Sequence, residues 1–238
     1  MSEPPVALVA DWNGLAGQAI CLQLARSGFN LLVNGPQEDV FFLQSEADSH
    51  ILAYPFEARQ EDSVQAAMLA CLESFGRLDV LVNNFYAWND APLHEINEAL
   101  WGEVLQGNLQ STFNVSRAAS LVMMEQQFGR MINVTTTSCL TGDHLPFAAT
   151  SAAVHSLTRS LARELAPFIR VNTVACGMLD EPWIDESGPE LRQSLQKSIP
   201  LKRLCSTLDV AEAVVYLASG ADFMTGQMLV LDGGENIR

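Results

Sequence analysis

A chain of 238 residues, 48% hydrophobic and 17% charged, is long enough for one large α/β domain with a substantial buried core. Its formal net charge of -15 argues against nucleic acid or an anionic membrane as a partner. No apolar run reaches the roughly 18–20 residues of a membrane span, Met1-Ser2-Glu3-Pro4-Pro5 lacks the basic-then-apolar pattern of a signal peptide, and Cys21, Cys71, Cys139, Cys176 and Cys205 form no metal or redox motif, so the sequence predicts a soluble cytoplasmic protein with reduced thiols and no metal site.

Apolar strands alternate with amphipathic helices along the chain. Val6-Ala7-Leu8-Val9-Ala10 is a continuous apolar run, as a strand buried on both faces requires. After the loop from Asp11 to Leu15, the residues Ala19, Ile20, Leu22, Leu24 and Ala25 form a helical stripe that Gly28 ends. Leu31-Leu32-Val33 is a second strand, Ile51-Leu52-Ala53-Tyr54 a third, and Leu78-Asp79-Val80-Leu81-Val82 a fourth, with a helix from Glu61 to Phe75 before the last. A long helix is predicted from Glu103 to Gln127, a strand at Met131-Ile132-Asn133-Val134, and a second long helix from Phe147 to Ala166. Val171-Asn172-Thr173-Val174, the helix Leu208 to Ser219 and Met228-Leu229-Val230-Leu231 complete the series. The alternation predicts a single domain over residues 1–238: a doubly wound Rossmann fold with a seven-stranded parallel sheet, helices on both faces and right-handed crossovers.

Four stretches in the right order carry a resemblance to a known family. They are Leu78-Asp79-Val80-Leu81-Val82-Asn83-Asn84, Asn108-Leu109-Gln110-Ser111-Thr112-Phe113, Arg170-Val171-Asn172-Thr173-Val174, and Thr225-Gly226-Gln227 followed by Val230-Leu231-Asp232-Gly233-Gly234. Together they resemble the short-chain dehydrogenase/reductases, and the resemblance covers nearly the whole chain. It implies a dinucleotide-binding fold, a carbonyl–alcohol chemistry, and dimers or tetramers built through the two long helices, or pairing with an active relative.

The same resemblance sets apart the positions that differ. An ungapped alignment puts Ala10, Asp11, Leu15 and Gly17 where the family has the Thr and three glycines of Thr-Gly-x-x-x-Gly-x-Gly. Such glycines let the backbone turn tightly and bring N–H groups against a pyrophosphate. Sliding the frame lets Gly14-Leu15-Ala16 mimic Gly-x-Gly but shifts the helix by one residue, so the ungapped reading is preferred. Two unit charges about 5 Å apart at an effective dielectric near 20 repel by roughly 3 kcal/mol, so an ionised Asp11 predicts weak dinucleotide binding. Asn34-Gly35-Pro36-Gln37 supplies neither a carboxylate for a ribose nor an arginine for a 2′-phosphate, and Glu57 stands where the family's adenine-contacting Asp lies. Phe85-Tyr86 replaces the Ala-Gly of Asn-Asn-Ala-Gly, and Glu181 replaces the Thr of Pro-Gly-x-x-x-Thr in Cys176-Gly177-Met178-Leu179-Asp180-Glu181. If a dinucleotide (NAD or NADP) binds, the resemblance assigns Gly17, Asn83 and Gly177 to it.

The catalytic Tyr-x-x-x-Lys of the family falls on Phe147-Ala148-Ala149-Thr150-Ser151. A phenyl ring donates no proton, and a hydroxyl lowers no neighbour's pKa. The lysines are Lys197 and Lys202 and the tyrosines Tyr54, Tyr86 and Tyr216, so no shift of register restores the pair. Thr136 stands at the position of the substrate-polarising serine and Asn108 at that of the helix asparagine. Tyr86 either replaces the lost phenol or fills vacated groove space. His144 is either a replacement acid or an ordinary loop histidine, while His94 and His155 read as surface or packing residues. Cys139 and Cys176 lack an evident base and read as small hydrophobes. Trp12, Phe85, Tyr86 and Trp88 are expected at the C-terminal edge of the sheet, where they either plug the cofactor cavity or hold a flat apolar or aromatic small molecule.

The leading expectation is therefore a family member without NAD(P)H-dependent carbonyl reduction, serving as a non-catalytic subunit, a binding protein or a repurposed non-redox enzyme, with no dinucleotide cofactor. The alternative is a divergent NAD(P)H-dependent oxidoreductase on a carbonyl or hydroxyl substrate with a non-standard proton donor.

Overall fold

The computed structural model describes every residue except 1, 2, 15, 37–39, 41, 42, 45 and 238, so Leu15 and Gln37 lie outside the described residues. Seven parallel strands form one sheet in the order β3-β2-β1-β4-β5-β6-β7: Val6–Val9 (β1), Asn30–Val33 (β2), Ile51–Ala53 (β3), Val80–Asn83 (β4), Gly129–Thr136 (β5), Ile169–Cys176 (β6) and Met228–Leu231 (β7). The strands lie within a residue or two of the apolar runs because β1, β2 and β4 to β6 are covered on both faces and must be apolar nearly throughout. The order runs outward from β1 to β3 and then restarts on the other side with β4. That reversal opens a crevice at the C-terminal ends of β1 and β4.

Side chains alternate across the sheet and fill two cores. On one face Ala7, Val9, Leu31, Val33, Val82 and Ile132 meet the helices Gly17–Arg26 (α1) and Thr207–Ser219, through Ile20, Leu24, Val210, Val214 and Leu217. On the other, Val6, Leu8, Leu81, Met131 and Val171 meet Glu61–Phe75 (α2) and the two long helices, through Val64, Met68, Val115, Ala119 and Ala162. No helix among the described residues is long and apolar enough to cross a membrane.

The first long helix differs from the sequence expectation. It begins early, at Glu98–Leu105 (α3), where Asn97 caps by accepting from Leu100 N at 2.9 Å. A π-turn at Gln106–Gln110 follows, and only then Ser111–Gln126 (α4). Helical periodicity is blind to one inserted residue, so the sequence reads as a single helix. The second long helix is Leu145–Glu164 (α6), with Pro146 in its first turn and the four-residue helix Ser138–Thr141 (α5) before it. Between β6 and the last helix, Pro182–Glu186 (α7) and Pro189–Ser198 (α8) occupy a stretch without a sequence-level assignment. Arg192 joins them through Asp185 at 2.7 Å and reaches Asp180 at 2.6 Å. The helix Thr207–Ser219 (α9) starts on a reciprocal cap between Ser206 and Asp209.

Candidate active site and cofactor cleft

The loop leaving β1 is held by contacts that leave no space for a side chain at Gly14 or Gly17. A Cβ on Gly14 would stand 1.8 Å from the Asn84 carbonyl oxygen, and one on Gly17 2.2 Å from that of Trp12. Asn84, fully buried after β4, donates from Nδ2 to Asp11 O at 3.3 Å, and its Oδ1 has no partner among the described residues. Gly14 is therefore a close-approach glycine of this loop, which the ungapped alignment passes over. The Asp11 carboxylate turns back on its own loop and accepts from Asn13 N at 2.9 Å. Burial pushes its carboxyl above the usual carboxylate range, against the pull of the Asn13 and Gly14 amides.

Beyond β4 the aromatic residues separate. Trp12 is 2% exposed and belongs to the α1 core, 3.1 Å from where a Gly35 Cβ would stand, and Phe85 packs toward the opposite core. Trp12 thus turns into the protein, because a loop position does not decide which way its ring points. Tyr86 and Trp88 stack at 5.8 Å, and both meet the Phe147 ring edge-on, at 5.2 and 4.9 Å. His144 caps the stack from outside, 4.3 Å from Trp88, in the left-handed conformation at φ 60° that favours glycine.

Phe147 is 2% exposed and Ser151 4%, one turn apart on α6. Burial first, then Glu181 and Cys176, push the pKa of the Tyr86 phenol up. Cys176 stands opposite Thr136 in the β5–β6 register. The Thr136 hydroxyl is half-buried and accepts from Ser138 N at 3.4 Å.

Asn108 sits in the π-turn and makes a two-way amide pair with Ala87. Ala87 N donates to Oδ1 at 2.7 Å, and Nδ2 donates to Ala87 O at 3.0 Å. Its Nδ2 also reaches Thr150 Oγ1 at 3.2 Å, and Thr150 donates to Phe147 O at 2.9 Å. The extra residue of the π-turn aims Asn108 at both partners. Thr150 thus ties the loop after β4 to the start of α6. Nothing in the sequence marks it, since its only signal is position between Phe147 and Ser151.

Other expected residues point elsewhere. The Asn83 side chain is buried below the crevice and donates to Ser116 Oγ at 2.9 Å and Asn133 Oδ1 at 2.8 Å. Gly177 donates to Leu231 O at 2.9 Å, and a Cβ there would meet Asp232 Cα at 3.1 Å. Glu181 accepts from Trp183 Nε1 at 2.9 Å. Burial and Arg159 lower the pKa of the half-buried His155, while His94 is exposed in a short 3₁₀ turn. Burial pushes the Cys176 and Cys139 thiols up, so neither is a ready nucleophile. Among the described residues no cluster of three metal-ligating side chains occurs.

A cleft of about 300 Å³ opens at the switch point, lined by Asp11, Asn34, Glu57, Arg59, Tyr86 and Ser111, with Phe56 and Phe85 as walls. Asn34 braces it, donating to Ala10 O at 2.7 Å and accepting from Phe56 N at 2.9 Å. Apolar walls with polar groups and one arginine at the rim suit an adenosine-sized, phosphate-bearing group. The residues present therefore fit the adenosine end of a dinucleotide.

A sequence model described as Enoyl-(Acyl carrier protein) reductase matches residues 9–236. An acetoacetyl-CoA reductase of Acinetobacter sp. is 33% identical, over 98% of this chain and 98% of the relative. A 3-oxoacyl-(acyl-carrier-protein) reductase FabG of Staphylococcus aureus is 35% identical, over 96% of each. Among solved structures, a tyrosine-to-phenylalanine variant of ElxO with NADPH bound superposes with a TM-score of 0.91 at 26% identity, over 98% of each chain. A short-chain dehydrogenase/reductase from Burkholderia xenovorans gives 0.88 at 26% identity, over 99% of each.

These relatives overturn two expectations. Full-length similarity to proteins named as reductases contradicts a non-catalytic or non-redox member. Neighbours solved with NADPH or NADP contradict a cleft without a dinucleotide. The sequence argument failed because it gave Asp11 its full charge in the cofactor's path, whereas the folded loop turns that carboxylate onto its own amides. The sheet order, the switch-point cleft and these relatives together show that the chain belongs to the short-chain dehydrogenase/reductase family.

Proposed function

We propose that this protein is a divergent NAD(P)H-dependent oxidoreductase acting on a carbonyl or hydroxyl substrate, with Tyr86 as proton donor in place of the Tyr-x-x-x-Lys pair that Phe147 and Ser151 interrupt. The activity is supported by the reductase relatives. The donor rests on one observation: the Tyr86 ring lies 5.2 Å from the ring of Phe147, which stands at the position of the family's tyrosine. Asn34, Glu57 and Arg59 would hold the adenosine end, with Gly17 opening the helix beside it. A bound reduced nicotinamide would supply hydride to the carbonyl carbon. Thr136 would hydrogen-bond the carbonyl oxygen, and Tyr86 would hand its phenolic proton to that oxygen as negative charge builds there. An apolar substituent would pack on Trp88, which is 40% exposed.

No ammonium stands at Ser151 to lower the Tyr86 pKa, and burial raises it. The phenol therefore stays protonated at neutral pH and remains a competent donor to an alkoxide, which is far more basic. It is a poor base for the reverse reaction, so this reading favours reduction over alcohol oxidation.

The test follows NADPH and NADH consumption with a 3-oxoacyl thioester such as acetoacetyl-CoA. Tyr86→Phe should lower kcat by about 10²–10⁴-fold, the range for a positioned general acid, with dinucleotide affinity unchanged. Thr136→Ala should lower turnover as well. An unchanged rate in Tyr86→Phe removes the donor assignment, and calorimetry showing no binding at millimolar NADPH or NADH removes the reading as a whole.

A further inference from the structure

The acids and the arginine that line the switch-point cleft are not paired with one another. Asp11 Oδ1 accepts from Asn13 N at 2.9 Å, and Glu57 Oε1 accepts from Arg59 N at 3.1 Å, so each carboxylate closes its own loop two residues on. Arg117, farther along α4, is paired with Glu61. Among the described residues no carboxylate lies within 4.0 Å of the Arg59 guanidinium.

The backbone of Arg59 is fixed. Asn114 Nδ2 on α4 donates to Ala58 O at 3.0 Å and Arg59 O at 3.1 Å, while Ser63 Oγ accepts from Glu57 N at 2.9 Å. From that anchor the guanidinium extends toward the π-turn, where Nη2 stands 3.5 Å from the position a Gly107 Cβ would take. The same Cβ would meet Ala87 at 2.6 Å, so the close packing of Gly107 on Ala87 shapes this part of the cleft. Arg59 is the cation among the residues that line it.

We infer that Arg59 binds a phosphate of the adenosine half of the dinucleotide, a contact supplied by the loop after β3 in a chain whose β2 end, Asn34-Gly35-Pro36, carries no cation. The inference rests on the proposed dinucleotide dependence. A planar guanidinium offers paired N–H donors matched to phosphate oxygens. In a protein of net charge -15, an unpaired cation at the rim of a concave cleft is a place for an anion. The ribose 2′-phosphate and the pyrophosphate present the same chemistry to it, and the choice of cofactor separates them.

Calorimetry on wild type, Arg59→Ala and Arg59→Lys, each titrated with NADPH, NADH and inorganic pyrophosphate, tests this. Arg59→Ala should weaken NADPH binding by about tenfold to hundredfold, the range of a charge-assisted hydrogen bond, and raise KM for NADPH with kcat unchanged. Arg59→Lys should recover part of the loss, since it keeps charge without the fork. A 2′-phosphate contact weakens NADPH alone, whereas a pyrophosphate contact weakens NADPH, NADH and inorganic pyrophosphate together. Wild-type affinities throughout for a folded Arg59→Ala overturn the inference while leaving the oxidoreductase reading intact. If wild type binds neither dinucleotide, the reading fails, and Arg59-dependent pyrophosphate binding would keep the anion site by itself. Absence of that binding too removes both.

Discussion

At Asp11, burial outweighs the hydrogen bonds from the loop amides, so the carboxyl protonates above its usual range. A folded-state pKa raised above the unfolded value of about 3.9 means that ionisation costs stability. Wild type and Asp11→Asn should then melt alike below about pH 4, and the variant should gain as pH rises through the raised value. Melting temperature against pH checks this, and parallel curves would show that Asp11 ionises freely. The same desolvation acts in the same direction at Tyr86. There it keeps a proton on the group that must give one away.

Among the elements, α9 depends on a reciprocal cap between Ser206 and Asp209. Ser206 Oγ accepts from Asp209 N at 3.1 Å, and Ser206 N donates to Asp209 Oδ2 at 2.8 Å. Arg203 forks onto the same carboxylate at 2.6 and 2.7 Å, and that pairing, with the Ser206 bonds, holds its pKa well below the usual range. A depressed folded-state pKa contributes stability above the unfolded value of about 3.9, lost as pH falls through the folded one. Asp209→Asn should therefore melt lower than wild type at pH 7, with the gap narrowing below about pH 4. A gap independent of pH would mean that the hydrogen bonds, not the charge, carry the effect. The π-turn before α4 is the opposite case. Its cause is the Asn108 pair with Ala87, 21 residues away, and local periodicity holds no trace of it.

Across the whole molecule, a buried polar chain binds the sheet to the two long helices beneath the crevice. Asn83 on β4 donates to Ser116 on α4 and Asn133 on β5. Asn133 donates to Thr158 on α6 at 2.8 Å, and Thr158 meets Thr173 on β6 at 2.8 Å. All five are buried. Removing one member strands donors with no route to water, at about 1–3 kcal/mol per group. Asn133→Ala should lose about 2 kcal/mol or more in a denaturant titration, cavity included. A loss under about 0.5 kcal/mol, ordinary for a surface substitution, would show that the chain is not cooperative.

The sequence by itself determined the seven strands and the doubly wound class with helices on both faces, because strands buried on both sides are built from largely apolar runs. It also determined that Phe147 and Ser151 offer no proton and no charge, which is a matter of residue chemistry alone. Tertiary structure decided everything that depends on where a side chain turns. Trp12 goes into a core while Phe85 and Tyr86 line the cleft with Trp88 stacked on Tyr86, Asp11 folds onto its own loop, and Gly14 joins Gly17 as a close-approach glycine. Thr150 meets Asn108 across 42 residues, and Arg59 reaches Gly107 from the loop after β3. Contacts of that range are set by how the layers pack, and a residue's neighbours in the chain do not encode them.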